Sequence, residues 1–495
     1  MDFVLIEKNP GVTQYSKALG VHARTLEIYE QIDLAENAVQ LGTVAGKLRM
    51  LESGEILGEV DLSSVGYGLS AYPYLLVLEQ SKNEELMYRW LKSQQREVLW
   101  QSELKGFFQD ANTVTAQVTQ GSDSLNLVAK YLVGCDGPRS LVRQTLGLEF
   151  QGSTFARVFY VADVHINWKF SHDALHLCLA PAGVVAFFPL PGENRWRIVG
   201  AFPEGLEKEE GEILYEEIEA RIKEEAHLEL DITHVDWFST YKVHTRHVER
   251  FSSARCFLAG DSAHIHTPVG GQGMNTGIQD AYNLAWKLAL VIKHSAAERL
   301  LETYNEERLP NAKRLTATTD RVFNIAVGKD WLLSLIRTTI FPPMAKYLLG
   351  IEAVRRKFFR IISQIGINYR DGSLSDHAGD AEFEVKAGDR LPYLLIGGKS
   401  IFHYLRAPRF HLIRFLDDQS EVREGPKPAI QPNQEAPLKY ASLIDRHDFP
   451  LYPQVAEAFG VKKSFQVFLR PDNYIAFISH DTSSQPLSRY LERLS

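Results

Sequence analysis

Cysteine is scarce. Cys135, Cys178 and Cys256 are scattered through 495 positions, with no C-x-x-C pair and no Cys/His ligand spacing. That excludes a disulfide framework and a structural metal site, and leaves all three as expected small buried hydrophobes. Clustered basic charge is missing too: Lys and Arg number 54 against 62 Asp and Glu, a formal net charge of -8, so neither nucleic acid nor an anionic membrane is an expected partner. Nor is there a long unbroken apolar run. The most apolar stretch, WLLSLIRTTIFPPMAKYLLG at 331–350, is interrupted by Arg337 and by Pro342-Pro343 and reads as two packed helices instead of a membrane span. No secretory leader is expected, and a reducing, cytoplasmic setting follows. What remains is an ordinary globular composition, 45% hydrophobic and 23% charged, long enough for two or three domains that handle small molecules.

The patterning is that of an α/β protein. A short apolar strand over 3–6 ends in Glu7, and Asn9-Pro10-Gly11 supplies a turn. Helical spacing follows at Leu26, Tyr29 and Ile32. SKNE at 81–84 predicts a capping box, which puts Gln80 immediately before a helix. From Val114 the residues alternate, turn near 121–124, and resume into a buried strand that stops at Asp136-Gly137. Strand-like runs at 158–166, 183–189 and 196–201, with a charged helix near 207–225, predict a second, mainly antiparallel region. CFLAGD at 256–261 is a further buried strand, leading through a glycine-rich loop into a helix predicted over 276–293. Past about 365 the character changes again: GDRLP at 388–392 and strands at 410–415 and 465–469, around a proline-rich loop at 424–437, predict a separate domain. The expected divisions are 1–150, 151–250, 251–370 and 375–495.

Three strands thus end in acids, Glu7, Asp136 and Asp261. A carboxylate at the carboxyl end of a parallel strand accepts from two neighbouring hydroxyls at once, which suits a ribose or ribityl chain. The decisive stretch is AGDSAHIHTPVGGQGMNTGIQDA at 259–281. Gly270, Gly271 and Gly273 let the backbone approach a ligand, and the following helix start offers unpaired N–H groups and a positive dipole end. That arrangement suits an isoalloxazine, whose N1/C2 edge turns negative on reduction.

The segments GCDGPRS (134–140) and AGDSAHIHTPVGGQGMN (259–275) resemble the DG and GD motifs of the single-component FAD-dependent aromatic hydroxylases, the class A flavoprotein monooxygenases of the 4-hydroxybenzoate and phenol hydroxylase group. LIEKNPGVTQYSKALGVHARTLEIYE (5–30), Gln80 and LETYNEERLP (301–310) are similar to that family as well. The YR at 369–370, GDRLP and LRPDNYIAF (469–477) resemble the C-terminal thioredoxin-like domain of its phenol and polyketide hydroxylase branch. The resemblance implies a Rossmann-like FAD-binding domain, an inserted substrate-binding sheet and the thioredoxin-like domain. It further implies that Glu7 holds the adenosine ribose, that Arg24 and Gln80 contact the diphosphate and ribityl region, and that Asp136 with Gly137 serves FAD and the passing nicotinamide. Asp261 would hold the ribityl chain, and Pro268, Gly270, Gly271, Gly273, Met274 and Asn275 would line the ring. The implied reaction uses NAD(P)H to reduce FAD, adds O2 at the flavin C4a, and passes one oxygen to an aromatic or phenolic substrate, including polyketides. The chemistry belongs to the cofactor, so no single catalytic residue and no metal is expected.

His264 and His266 beside the loop are candidates either for tuning a phenol's protonation or for structural hydrogen bonding. Phe187, Phe188 and Pro189 are candidates either for facing substrate or for core packing. The C-terminal domain has no cysteine, which excludes thioredoxin-type redox chemistry there and leaves packing or homodimer contact. The family's first strand and its G-x-G-x-x-G turn should precede Phe3 by roughly 30 residues. They are not in the sequence. The one spacing match, Gly66-Tyr-Gly68-Leu-Ser-Ala71, comes before a strand instead of after one. A natural start upstream of Met1 is the expectation, with a flavin-deficient relative acting as a binding or assembly protein as the alternative. The W-x-W-x-I-P run of flavin halogenases is not found.

Overall fold

Parallel pairing occurs where the acid-terminated strands were expected. In the computed structural model, which describes residues 1–63, 65–180, 183–201, 214–226, 228–327, 341–417 and 438–494, Leu5–Ile6 pairs in parallel with Val98–Leu99. Leu132–Gly134 pairs in parallel with Cys256–Leu258. Helices Ala23–Gln31, Gln80–Ser93 and Gly273–Ile292 share one apolar core through Leu26, Tyr29, Leu86, Ile278 and Tyr282. An antiparallel meander, Ser102–Gln109, Val114–Gln120 and Asp123–Ala129, turns at Gly121 with φ 60°. The two parallel units do not hydrogen-bond to each other, and exposed apolar residues, Leu5 on one and Val133 on the other, stand on these strands.

The expected capping box at 81–84 does not form. The helix begins at Gln80, because the Ser81 hydroxyl is engaged by Ser16 Oγ at 2.9 Å and Glu84 Oε2 accepts from the Thr13 N–H at 3.0 Å. Side chains expected to close the helix end instead fasten the loop that runs ahead of Gly20.

The second region is an eight-stranded sheet in the order His264–Ile265, Asp231–His247, Gln151–Asn167, Arg195–Ala201, Gly183–Pro189, Ala174–Ala180, Lys47–Glu52, Glu55–Asp61. Its pairings are antiparallel except between Ala174–Ala180 and Lys47–Glu52. The bounds 151–250 are therefore too narrow, since the hairpin at 47–61 completes one edge. Strand alternation gives the sheet two faces. Tyr160, Ala162, Phe187, Trp196 and Ile198 pack outward beneath helix Tyr215–Ala226; the part of the predicted charged helix at 207–213 lies outside the described residues. Phe188 points the other way. That inner face also carries Arg197, whose guanidinium reaches the Ala18 carbonyl at 3.4 Å.

Helices Glu302–Val327, Phe341–Gly350 and Glu352–Ile362 follow. The first half of the apolar 331–350 stretch is outside the described residues, and Pro342 and Pro343 occupy a helix's first turn, where proline fits. No helix among the described residues is long and apolar enough to cross a membrane. The C-terminal sheet runs Ile444–Pro450, Phe410–Leu416, Phe465–Leu469, Ile475–Ser479, its first pair parallel and the others antiparallel, with helices Pro453–Phe459 and Gln485–Arg493. The proline-rich loop at 424–437 is outside the described residues. One core joins this domain to the first: Trp286 of helix Gly273–Ile292 meets Phe410 edge-on at 6.0 Å.

Candidate functional site

The loop between Cys256–Leu258 and helix Gly273–Ile292 is built on backbone that only glycine adopts freely. Gly260, Gly270 and Gly271 have φ of 63°, 74° and 62°. Gly260 and Gly277 lie back to back, and a Cβ on Gly277 would sit 3.3 Å from the Gly260 Cα. Asn275 is buried and used up within the protein: its Oδ1 accepts from His22 N at 2.9 Å and Thr25 Oγ1 at 2.7 Å, and its Nδ2 donates to the Gly20 and Gly271 carbonyls, both at 2.8 Å. Its side-chain amide therefore has no donor or acceptor left to offer a ligand. It ties the Gly20–His22 segment to the glycine loop and so sets the loop's shape. Pro268, Gly270 and Gly271 are exposed, and Gly273 and Met274 are half-buried at the helix start.

His22 completes this strut, with Nε2 2.8 Å from the Gly270 carbonyl, and burial lowers its pKa to about 4. His264 is not a proton shuttle facing substrate. It stacks on Phe251 and binds Asp280 at 2.7 Å inside the core. His266 is held neutral by burial, its pKa lowered to about 4, with Nδ1 against the Thr267 carbonyl at 2.8 Å.

Asp261 and Cys135 both stand just past the carboxyl ends of the parallel pair Leu132–Gly134 and Cys256–Leu258. Both are reachable by solvent, so Cys135 is not the buried hydrophobe expected. Yet surrounding protein pushes the Cys135 thiol up to about 11, and burial, with Asp280 adding to it, raises Asp261 above the usual carboxylate range. Each is thus a side chain that water touches but whose charge the neighbouring protein still penalises. Gly137, with φ 77°, has nothing within 4 Å of where a Cβ would be, and Asp136 Oδ2 accepts from Val142 N at 3.1 Å at a helix start. Accessible carboxylates, side-chain-free backbone and a helix N-terminus fit the ribityl and ring half of FAD.

The diphosphate side is less built. Glu7 is half-buried, with its carboxylate folded back on Asn9 at 2.6 Å. Gln80 Oε1 accepts from the Lys17 and Ala18 amides at 3.3 and 3.2 Å. Arg24 is elsewhere: fully buried, it donates to Glu27 at 3.2 Å and to the Asp472 carbonyl at 2.6 Å. Its expected diphosphate contact is corrected to an anchor for the C-terminal domain, because helix Ala23–Gln31 turns that side chain toward the 470–474 turn. Sequence reasoning passed over His22, Asp280 and Arg308, although all three lie in quoted segments. The spacing of Gly277 and Asp280, one turn apart on the face toward Gly260, is the signal that finds Asp280.

The FAD binding domain family matches residues 1–319. The chain is 30% identical over 515 residues to 6-methylpretetramide 4-monooxygenase of Streptomyces rimosus, spanning 99% of this chain and 88% of that protein. It is 28% identical to pentachlorophenol 4-monooxygenase of Sphingobium chlorophenolicum, spanning 95% and 88%. The anhydrotetracycline hydroxylase structure from Streptomyces rimosus superposes with a TM-score of 0.76 at 26% identity, covering 99% of this chain and 94% of that one. The FAD binding domain match and the likeness along almost the whole chain agree: the protein belongs to the family of FAD-dependent aromatic hydroxylases and is a flavin monooxygenase.

Proposed function

We propose that this monooxygenase hydroxylates a phenolic substrate of fused rings, lying between the inner face of the eight-stranded sheet and the glycine loop. The observation that supports it is one row of side chains on that face. Phe159 and Tyr241 are directly paired across strands with rings 6.1 Å apart, and Trp237 stacks on Tyr15 at 5.9 Å. Tyr241 is half-buried, and burial pushes its hydroxyl up to about 12, so it stays a neutral donor beside flat apolar surface. That combination suits an extended aromatic molecule with a polar edge. The relatives named for 6-methylpretetramide and anhydrotetracycline support the fused rings, and the one named for pentachlorophenol supports the phenol alone.

Bound FAD would supply the oxidation of NAD(P)H and the activation of O2. On this reading Asp261 and Asp136 accept hydrogen bonds from cofactor hydroxyls, the amides of Gly270, Gly273 and Met274 face the ring while that of Gly271 stays on the Pro268 carbonyl, and Gln80 and Glu7 serve the opposite end. The aromatic row orients the substrate and excludes water. The proposal includes a cytoplasmic setting, in keeping with three free thiols, and a homodimer, which light scattering decides.

The test is a visible spectrum after incubation with FAD and desalting, then NAD(P)H oxidation over single-ring and fused-ring phenols. Retained flavin bands and turnover fastest with fused rings, with one oxygen gained by the product, are expected. Turnover indifferent to the phenol, or none, overturns it.

A further inference from the structure

Asp280 lies in the second turn of helix Gly273–Ile292, out of contact with water. Its carboxylate gathers three donors: the Gly260 N–H at 3.1 Å and His264 Nε2 at 2.7 Å on one oxygen, and Arg308 Nε at 2.6 Å on the other. Gly260 immediately precedes Asp261. The tie to Asp280 therefore fixes the left-handed turn that leads into the solvent-reachable Asp261.

Arg308 is itself held. It donates to the Tyr369 hydroxyl at 2.9 Å and to the Thr276 carbonyl at 3.3 Å. Tyr369 takes its place from the C-terminal domain: its N–H donates to the Gly388 carbonyl at 2.7 Å, its ring packs 4.3 Å from Tyr474, and the Arg470 guanidinium lies 5.2 Å over it. These are residues of the YR and LRPDNY motifs, and none of them is among the expected cofactor contacts. An unbroken line of contacts runs from the C-terminal domain through Tyr369, Arg308 and Asp280 to the residue before Asp261.

We propose that Asp280 is a positioning residue for the flavin site, and that the C-terminal domain sets it through Tyr369 and Arg308. The domain without cysteines then has a task other than redox chemistry: it holds the turn from which Asp261 works. The consequence for cofactor affinity rests on the FAD reading above; the relay itself does not. Simple adhesion between domains makes a different prediction, because other polar contacts cross the same junction without touching Asp280. Tyr282 is one, its hydroxyl donating to Gln31 at 2.8 Å and to the Pro471 carbonyl at 3.4 Å.

Hydrogen–deuterium exchange of the flavin-free full chain, followed by FAD titration, separates the two. In Asp280→Asn the amides at 257–262 are expected to exchange about tenfold faster, and in Tyr369→Phe about threefold, as befits losing a direct and an indirect hydrogen bond to a charged group. The Kd for FAD is expected to rise in the same order. Tyr282→Phe should change neither. Tyr369→Phe exchanging like wild type at 257–262, or Tyr282→Phe accelerating that peptide equally, overturns the relay, and the conservative Tyr369→Phe decides even where Asp280→Asn folds poorly. A wild-type chain that binds no FAD refutes the cofactor reading and leaves the exchange result to judge the relay.

Discussion

Glu307 and Arg470 meet in a two-point contact at 2.5 and 3.0 Å, both side chains out of water, and Lys287 Nζ lies 2.8 Å from the same carboxylate. Burial works against ionising Glu307, but Arg470 and Lys287 prevail and hold it down at about 2. An unfolded glutamate titrates near ~4.3. Between those values the unfolded chain binds a proton that the folded chain does not, so this group's contribution to stability is complete above about 4.3 and is lost as pH falls toward the folded value.

Glu307→Gln is accordingly expected to cost about 3–5 kcal/mol near neutral pH, since it strands the buried Lys287 and leaves Arg470 with Asp472 as its one carboxylate partner. The gap from wild type should narrow on acidification through that window. Denaturant unfolding at neutral pH and near pH ~3 measures it. An offset that stays constant with pH would contradict the assignment.

Asp163 holds Arg197 in a similar fork at 2.6 and 2.7 Å on the inner sheet face, and the same guanidinium lies 5.7 Å over Trp237. Asp163→Leu alone should destabilise by about 3–5 kcal/mol, while Asp163→Leu with Arg197→Met should recover most of that loss, because removing both charges removes the uncompensated one. The double variant also releases the Ala18 carbonyl. Its KM for a fused-ring phenol is expected to rise with stability near wild type, and thermal melts beside steady-state kinetics read the split.

The parts of this protein that could be read ahead of the structure are those specified over short distances. The loop at 259–275 declares itself because an acid, three glycines and a helix start must fall in one order for its backbone to turn as it does. Arg24 could not be placed that way: its position depends on Asp472, 448 residues along the chain, and no local pattern reports such a partner. Ser81 failed as a cap for the same reason, its hydroxyl being taken by Ser16 across 65 residues. Asn275 was found, but the partners of its side chain were not. A polar residue after a glycine loop reads as a ligand contact until Thr25 and His22 are seen to use it. The hairpin at 47–61 looked like part of the first domain because only its pairing with Ala174–Ala180 shows which sheet it completes.

Gly277→Ala tests the close approach of helix and turn. The new methyl would lie 3.3 Å from the Gly260 Cα, so backbone must move in a place where no flexible side chain can yield. Although alanine favours the helix by about 1 kcal/mol over glycine, the variant is expected to be no more stable than wild type and to bind FAD several-fold more weakly. A melt raised by the full propensity gain, with FAD affinity unchanged, would show that the contact has slack.

Asn275→Ala removes four hydrogen bonds in a site closed to water. At roughly 1 kcal/mol each, less what the neighbouring groups recover from one another, the expected loss is about 2–4 kcal/mol. The loss should not be uniform. His22 and Gly271 sit on opposite sides of this residue, so their segments are expected to part, giving faster amide exchange at both 19–22 and 269–272 with the C-terminal sheet unaffected. Asn275→Asp separates the two halves of the interaction. It keeps the oxygen that serves His22 and Thr25 but sets a carboxylate oxygen against the Gly20 and Gly271 carbonyls, and should therefore loosen the glycine loop more than Asn275→Ala does. Equal exchange at 269–272 in the two variants would mean that the donated pair contributes nothing to the loop's shape.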